Sequence, residues 1–215
     1  FRTPLAGILT SIELVKILLE KNRKSYDVKI DMNLERAIEE IDRMTAIMDN
    51  ILLFGKMQSG KFPFRPQRHD IRLFLSQLVD DIQMRHPHRQ ILFSHAGQGK
   101  HCFFDEKQMA HVFTNIIENA LKYSPEDKPV MVELADSAFG YRIEVADHGI
   151  GIPKNEQPLL FDSFFRASNA ENIQGTGMGL VIAKQFVDAH QGKIQIESEA
   201  GDGCKVIVEL SSAPK

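Results

Sequence analysis

Two kinds of apolar pattern divide the chain, and the change falls near residue 60. The positions Leu5, Ile8, Ile12, Val15 and Leu19 advance by alternate steps of three and four, the spacing of one helical face. The polar stretch "EKNRKSYDVKID" interrupts that run and has no periodicity. A second run follows through Leu34, Ala37, Ile41, Met44, Met48 and Ile51, widened by Ile38, Ile47 and Leu52. Two antiparallel helices cannot bury so wide a stripe against each other. The pattern therefore predicts a hairpin completed by a second copy, as a dimeric four-helix bundle. A hairpin packed on the chain's own second domain is the competing arrangement.

Beyond "KMQSGKFPFRPQRHD", punctuated by Gly60, Pro63 and Pro66, the periodicity changes. Asp70 reads as the N-cap of a helix "IRLFLSQLVDDIQMR". "QILFSH" and "HCFFD" predict short strands, and "EKQMAHVFTNIIENALKYS" a long helix ended by Pro125. "VMVELAD" and "YRIEVAD" alternate apolar and polar residues, as strands buried on one face do. "MGLVIAKQFVDAHQG" predicts an amphipathic helix with Gly192 as its stop, and "KIQIESE" and "CKVIVEL" a closing antiparallel pair. Without strict βαβ alternation, these elements predict an α/β sandwich, one sheet covered by helices on one face. The boundaries read as a hairpin over 1–60, a linker over 61–69 and a second domain over 70–215.

Charge and composition exclude several partners. A net charge of -3 over 215 residues, with basic residues spread along the chain, leaves no footprint for nucleic acid or an anionic membrane. No apolar run approaches the ~18 residues of a membrane span. Cys102 and Cys204 fit neither a disulfide framework nor a zinc site and read as reduced, semi-buried thiols in a cytoplasmic setting. His86 and His88 flank Pro87 in a loop and lack further ligands for a metal.

Four clusters carry chemistry. In "NIIENALKYS", Asn115 and Asn119 share a helix face, with Lys122 and Tyr123 on the same flank. Amide oxygens suit a hard cation and an ammonium suits phosphate, although a solvated polar face gives the same pattern. In "DHGIGIP", Asp147 ends a strand and Gly149 and Gly151 allow a tight turn, with Ile150 and Ile152 as apolar walls. The carboxylate could accept from an exocyclic amine, or the stretch could be a plain strand-ending turn. "LFDSFFRA" could hold a loop down and leave Arg166 to reach an anion. "GTGMGL", comprising Gly175, Thr176, Gly177, Met178, Gly179 and Leu180, leads into a helix whose N–H groups could receive phosphate.

In their order and combination, these four stretches resemble the N, G1, F and G2 boxes of sensor histidine kinases, within the wider superfamily of gyrase, Hsp90 and MutL. "FRTPL" resembles the tail of the family's H-box, and the two-helix segment its dimerisation and histidine-phosphotransfer module. The resemblance implies a helical hairpin followed by an ATP-binding α/β sandwich. Asp147 would accept from the adenine amino group and Tyr123 would pack on the base. Asn119 would hold Mg²⁺ with support from Asn115. Lys122 and Arg166 would contact phosphate oxygens, and the Gly175–Leu180 backbone would cradle the triphosphate. The stretch "ASNAENIQ" would be a short, polar lid, mobile without nucleotide.

The implied chemistry is γ-phosphoryl transfer to a histidine and then to an aspartate of a response regulator. Thr3 matches the family position credited with orienting water for response-regulator dephosphorylation, and a helix N-cap is its plainer reading. Pro4 would kink a longer helix. The phosphoacceptor histidine and its acidic neighbour are expected just ahead of Phe1, so the chain as given is expected not to phosphorylate itself. Any membrane anchor would also lie upstream. A catalytically silent docking module is the alternative. A gyrase- or MutL-type ATPase, or an anti-sigma-type serine kinase, is disfavoured by the preceding helical hairpin.

Overall fold

The computed structural model describes residues 2–21, 27–58, 63–97, 101–170, 173 and 175–212. They fall into two compact units, Phe1–Phe62 and Pro63–Lys215.

The first unit pairs α1 (Arg2–Lys21) with α2 (Asp27–Gln58). α2 begins well before Leu34, because residues 27–31, read as part of the polar break, are already helical. Val28 and Ile30 lie there among charged residues, and Ile30, half-buried, stands one turn before Leu34 on the same seam. Glu20 and Lys21, also read as part of the break, close α1, while 22–26 and the expected stop at Gly60 lie outside the described residues. Pro4 falls in the first described turn of α1.

The two apolar seams do not close on each other. The hairpin interior is built on small residues: Ser11 and Ala37 are buried, and a Cβ on Gly7 would lie 3.4 Å from Glu40 Cγ. Ile8, Val15, Met44 and Ile47 are half-buried. Leu5, Ile12, Leu19, Leu34, Ile38, Ile41, Met48, Ile51 and Leu52 stay exposed, Leu19 by 65% and Leu52 by 58%.

The second unit begins with β1 (Gln67–Asp70) and α3 (Ile71–Arg85), followed by β2 (Ile91–Ala96) and β3 (His101–Phe104). α4 (Glu106–Tyr123) leads to the hairpin β4 (Val130–Asp136) and β5 (Gly140–Asp147). α5 (Gly179–Ala189), β6 (Lys193–Ser198) and β7 (Cys204–Ser211) complete it. The main sheet runs β2-β4-β5-β7-β6, with β2 parallel to β4 and the other pairs antiparallel.

Two expectations need correction here. There are two sheets rather than one, since β3 leaves the main sheet and pairs with β1 from Gln67↔Phe104 to Asp70↔His101. Residues 67–69, read as linker, therefore belong to a strand. "QRHD" has no apolar or β-branched residue to announce that.

Register explains the core. Val132↔Val145↔Val206 and Leu134↔Ile143↔Val208 stack as rows across three strands on one face. These side chains are buried, as are Met109, Val112, Phe113, Ile116 and Ile117 of α4 and Ile182 and Phe186 of α5. Each large side chain so buried contributes about 1.5–3 kcal/mol. The other face carries charge: Glu144 meets Arg142 and, at 3.0 Å, Lys205. The expected single covered face is present.

Caps set the helix starts. Asp70 accepts from Arg72 N at 2.9 Å and Leu73 N at 3.0 Å, as its position predicts. Asp105 caps α4 through Gln108 N and uses its other oxygen to accept from Arg65 N at 2.8 Å. α5 ends at Ala189, and the left-handed turn after it falls on Gln191, at φ 54, rather than on Gly192.

His190 ties these pieces together. Its Nε2 accepts from Asp105 N at 2.9 Å, and its Nδ1 lies 2.7 Å from the Phe186 carbonyl and donates to it. Phe64 meets the ring edge-on at 4.8 Å. This is a neutral imidazole, and burial pushes its pKa below the ordinary value. A base with a depressed folded pKa gives stability that is complete above its unfolded value and lost as pH falls toward the folded one. The thermal midpoint of the second unit should therefore drop as pH falls below the ordinary histidine value of about 6.5. In His190→Gln that slope should flatten, which thermal melts across the range will check.

Candidate functional site

Three elements deliver the candidate residues to one place. α4 carries Asn115 and Asn119 one turn apart and ends on Lys122 and Tyr123. β5 ends on Asp147, registered opposite Cys204 of β7. The third element is the segment that enters α5, Gly175 to Leu180.

The turn after Asp147 closes onto the end of α4. Asp147 Oδ1 accepts from Gly149 N at 2.7 Å, and Ile150 N donates to the Tyr123 carbonyl at 3.2 Å. A Cβ on Gly149 would collide with that carbonyl, and one on Gly151, at φ 61, with the Glu199 carbonyl. Here the need for glycine is both steric and conformational. Ile152 N donates to Ser198 Oγ at 2.9 Å, and that hydroxyl donates to the Gly203 carbonyl at 2.6 Å. Gln157 Nε2 adds bonds to the Ile152 and Ser198 carbonyls at 3.1 and 2.8 Å.

Gly175 reports the convergence. A Cβ there would lie 2.8 Å from Lys122 Nζ, 3.5 Å from Tyr123 Oη and 3.8 Å from Arg166 Nε. At the start of α5, a Cβ on Gly179 would lie 3.2 Å from Asn115 Oδ1. Gly177, at φ 68, accepts from Phe164 N at 3.1 Å. Thr176 Oγ1 accepts from Met178 N at 3.2 Å, and Met178 is buried beneath the segment. Asn119, Ile152 and Leu180 are half-buried. Thr3 stands inside α1 rather than at a cap and belongs to the other unit; its side chain lies outside the described residues.

Arg166 is engaged with its own loop, contrary to the expectation that it stands clear. It donates to the carbonyls of Ala170 and Ile173. The described part of the expected lid is held by polar bonds. Glu156 accepts from Ser168 N at 2.8 Å and Oγ at 2.7 Å, and Asn169 Nδ2 donates to the Gly151 carbonyl at 2.9 Å. Lid residues 171, 172 and 174 lie outside the described residues.

Sequence reasoning missed Ser198, Gln157, Glu156, Asn169 and Gly203. Only Gly203, in "GDGC", carried a signal; the others are single polar residues whose partners lie five to 46 positions away.

The electrostatics are divided between two ends. Lys122 and Arg166, with the N-terminus of α5, make one end suited to an anion with several oxygens. Lys122 Nζ also sits 4.8 Å above the Tyr123 ring. Burial raises the Tyr123 hydroxyl, with Arg166 opposing. At the other end, burial pushes the Asp147 carboxyl above its ordinary value, against hydrogen bonds from Gly149 and Cys204 N–H and the nearby His148. The Cys204 thiol is pushed up to about 12 by burial and then by Asp147, and Cys102 to about 11 by burial, so both thiols are inert.

For a metal, Asn115 and Asn119 supply hard amide oxygens. No cluster of three His, Cys, Asp or Glu occurs among the described residues. That donor set fits Mg²⁺ held jointly with phosphate oxygens rather than in an all-protein cage.

Residues 104–214 match the family model described as histidine kinase-, DNA gyrase B- and HSP90-like ATPase. Residues 1–60 match the His Kinase A (phospho-acceptor) domain. The chain is 30% identical over 213 residues to sensor protein kinase WalK of Staphylococcus aureus, covering 97% of this chain and 50% of that protein. Against WalK of strain Newman the identity is also 30% and the share of that protein 34%, so the chain spans a third to a half of these relatives. Among solved structures, the histidine kinase AdeS of Acinetobacter baumannii superposes with a TM-score of 0.75 at 14% identity, covering 99% of this chain and 97% of that one. ThkA, solved in complex with the response regulator protein TrrA, also gives 0.75 at 19% identity, covering 99% and 59%. At these identities the superpositions speak for the fold.

The buried charge of Asp147 gives a stability test. An acid with a raised folded pKa contributes stability that is complete below its unfolded value and lost as pH rises through the folded one. At neutral pH the ionised carboxylate is thus a cost, and Asp147→Asn should raise the thermal midpoint by about 1–3 °C at pH 8. That gain should vanish near pH 4, as paired melts at the two values will read.

Proposed function

We propose, from the premise that the chain belongs to the sensor histidine kinases by both of its domains, that its second unit binds Mg-ATP and passes the γ-phosphoryl group to a histidine of the phosphotransfer helices. The next acceptor is an aspartate of a response regulator. The observation that carries this is the gathering of Lys122, Tyr123 and Arg166 around Gly175, beside a turn that holds Asp147 against the end of α4.

Asp147 accepts from the adenine amino group, and Tyr123 packs on the base. Lys122 and Arg166 pair with phosphate oxygens, and the Gly175–Leu180 backbone offers N–H groups to the triphosphate. Asn119, supported by Asn115, would hold Mg²⁺, which when bound neutralises charge on the phosphates. In the transfer, an imidazole nitrogen forms the new N–P bond while the bond from the γ-phosphorus to the bridging oxygen breaks. ADP leaves and the imidazole gives up its other proton. Arg166 must leave the Ala170 and Ile173 carbonyls to reach phosphate, so nucleotide binding reorganises the lid.

The exposed stripe along α1 and α2 supports a homodimer, in which two hairpins cover each other's Leu5, Ile12, Leu34, Ile41 and Met48. The response regulator docks near Thr3 to Ile17 and on α2, with Thr3 orienting water for dephosphorylation. No helix among the described residues is long and apolar enough to cross a membrane, and this unit works in the cytoplasm.

Residues 1–60 contain no histidine, so the test uses the chain extended by His-Glu ahead of Phe1. With γ-labelled ATP and Mg²⁺ it should acquire acid-labile, base-stable phosphate. Extended protein that binds ATP and takes no label would identify a silent nucleotide-binding module instead. In a separate titration, Asp147→Asn should weaken ATP binding by about 10- to 100-fold, the loss of one charge-assisted hydrogen bond.

A further inference from the structure

We infer that Arg89 is a positioning residue for the nucleotide site: it clamps the last turn of α4 and so sets Lys122 and Tyr123 in place. The inference rests on the ATP-binding reading above.

A helix leaves its last carbonyls without intrahelical partners, and a left-handed glycine often satisfies them. α4 has no such glycine. Its C-cap, Ser124, is extended, and Pro125 follows. The partner comes instead from the loop between α3 and β2, more than 30 positions earlier. Arg89 Nη1 donates to the Leu121 carbonyl and, at 3.3 Å, to that of Ser124, and Nη2 donates to Ser124 Oγ at 2.7 Å. These contacts bracket Lys122 and Tyr123 on both sides. A guanidinium is well matched to this position, because its planar fork reaches several acceptors at once and its positive charge sits favourably at a helix C-terminus.

The clamp is itself held in register. Gln83 Nε2 donates to the His86 and Arg89 carbonyls at 3.0 and 2.6 Å, while its Oε1 accepts from Ile91 N at 3.0 Å. Arg89 N donates to the His86 carbonyl at 3.0 Å. Between the clamped carbonyls, that of Tyr123 receives Ile150 N and abuts Gly149. A shift of the last turn would therefore disturb the turn that presents Asp147 as well as Lys122 and Tyr123.

A capping role confined to stability is the plainer reading, and an ion-pair cluster one turn earlier on the same helix separates the two. Glu118 accepts from Arg85 Nη1 at 2.8 Å and lies 2.9 Å from His86 Nε2, away from the last turn. The comparison sets Arg89→Lys, which keeps the charge but loses the fork, beside Ser124→Ala and Glu118→Gln, all in the full chain. Arg89→Lys should weaken ATP binding at least about tenfold, Ser124→Ala by a smaller factor, and Glu118→Gln less than twofold, whatever their thermal midpoints. Amide shifts in ¹H–¹⁵N spectra without nucleotide should move at residues 121–124 and 149–150 in Arg89→Lys and stay in place there in Glu118→Gln. Two results overturn the inference: ATP affinity that falls only in step with thermal stability across the three variants, or unmoved 121–124 amides in Arg89→Lys. If the unsubstituted chain binds no ATP, the functional reading falls, and with it this one.

Discussion

The carbonyl of Tyr123 is where the two halves of the proposed nucleotide site meet. Ile150 N donates to it, and Gly149 passes so close that only a residue without Cβ fits. This contact ties the end of α4, with Lys122 and Tyr123, to the turn after β5, with Asp147. Everything else in the site is arranged around it. Ser198 and Gln157 hold the far side of the turn to the β6–β7 hairpin, and Arg89 holds the far side of the helix end. A wide ligand can then be gripped at both ends by groups more than 20 positions apart in the chain.

Rigidity on that side contrasts with the loop that carries Arg166. The helix end is fixed by bonds from two separate segments, the α3–β2 loop and the turn after β5, whereas Arg166 and residues 168–170 are held by a handful of polar bonds to nearby backbone and to Glu156. Polar bonds of this kind contribute about 0.5–1.5 kcal/mol each and exchange readily for bonds to a ligand or water. The same cation can thus close the loop on itself or turn to a phosphate. Burial against the sheet gives α4 no comparable alternative.

Much of this was legible in the chain itself because the signals were local. Asp70 ahead of an apolar run announced a cap, and alternation in "VMVELAD" and "YRIEVAD" announced one-sided strands. The four clusters were each contiguous, so their residues could be picked out from the chain alone. What stayed hidden was non-local or unpatterned. β1 is four polar residues whose strand character comes only from pairing with β3. The start of α2 carries only Val28 and Ile30 among charged residues, too few to mark a face by themselves. Arg89 meets its partners 32 and 35 positions away, and Ser198 meets Ile152 46 away. The exposed seams leave the surplus of apolar surface that their width predicted, around an interior of small residues, Gly7, Ser11 and Ala37.

The central claim is that a nucleotide spans from Asp147 to the start of α5, with Tyr123 between. A titration of ¹⁵N-labelled protein with Mg²⁺ and a non-hydrolysable ATP analogue tests it most directly. The account predicts saturable shifts at the amides of Gly149, Gly151, Gly175, Gly177 and Gly179 with one common affinity. Shifts confined to other residues, or different affinities at the two glycine segments, would contradict it.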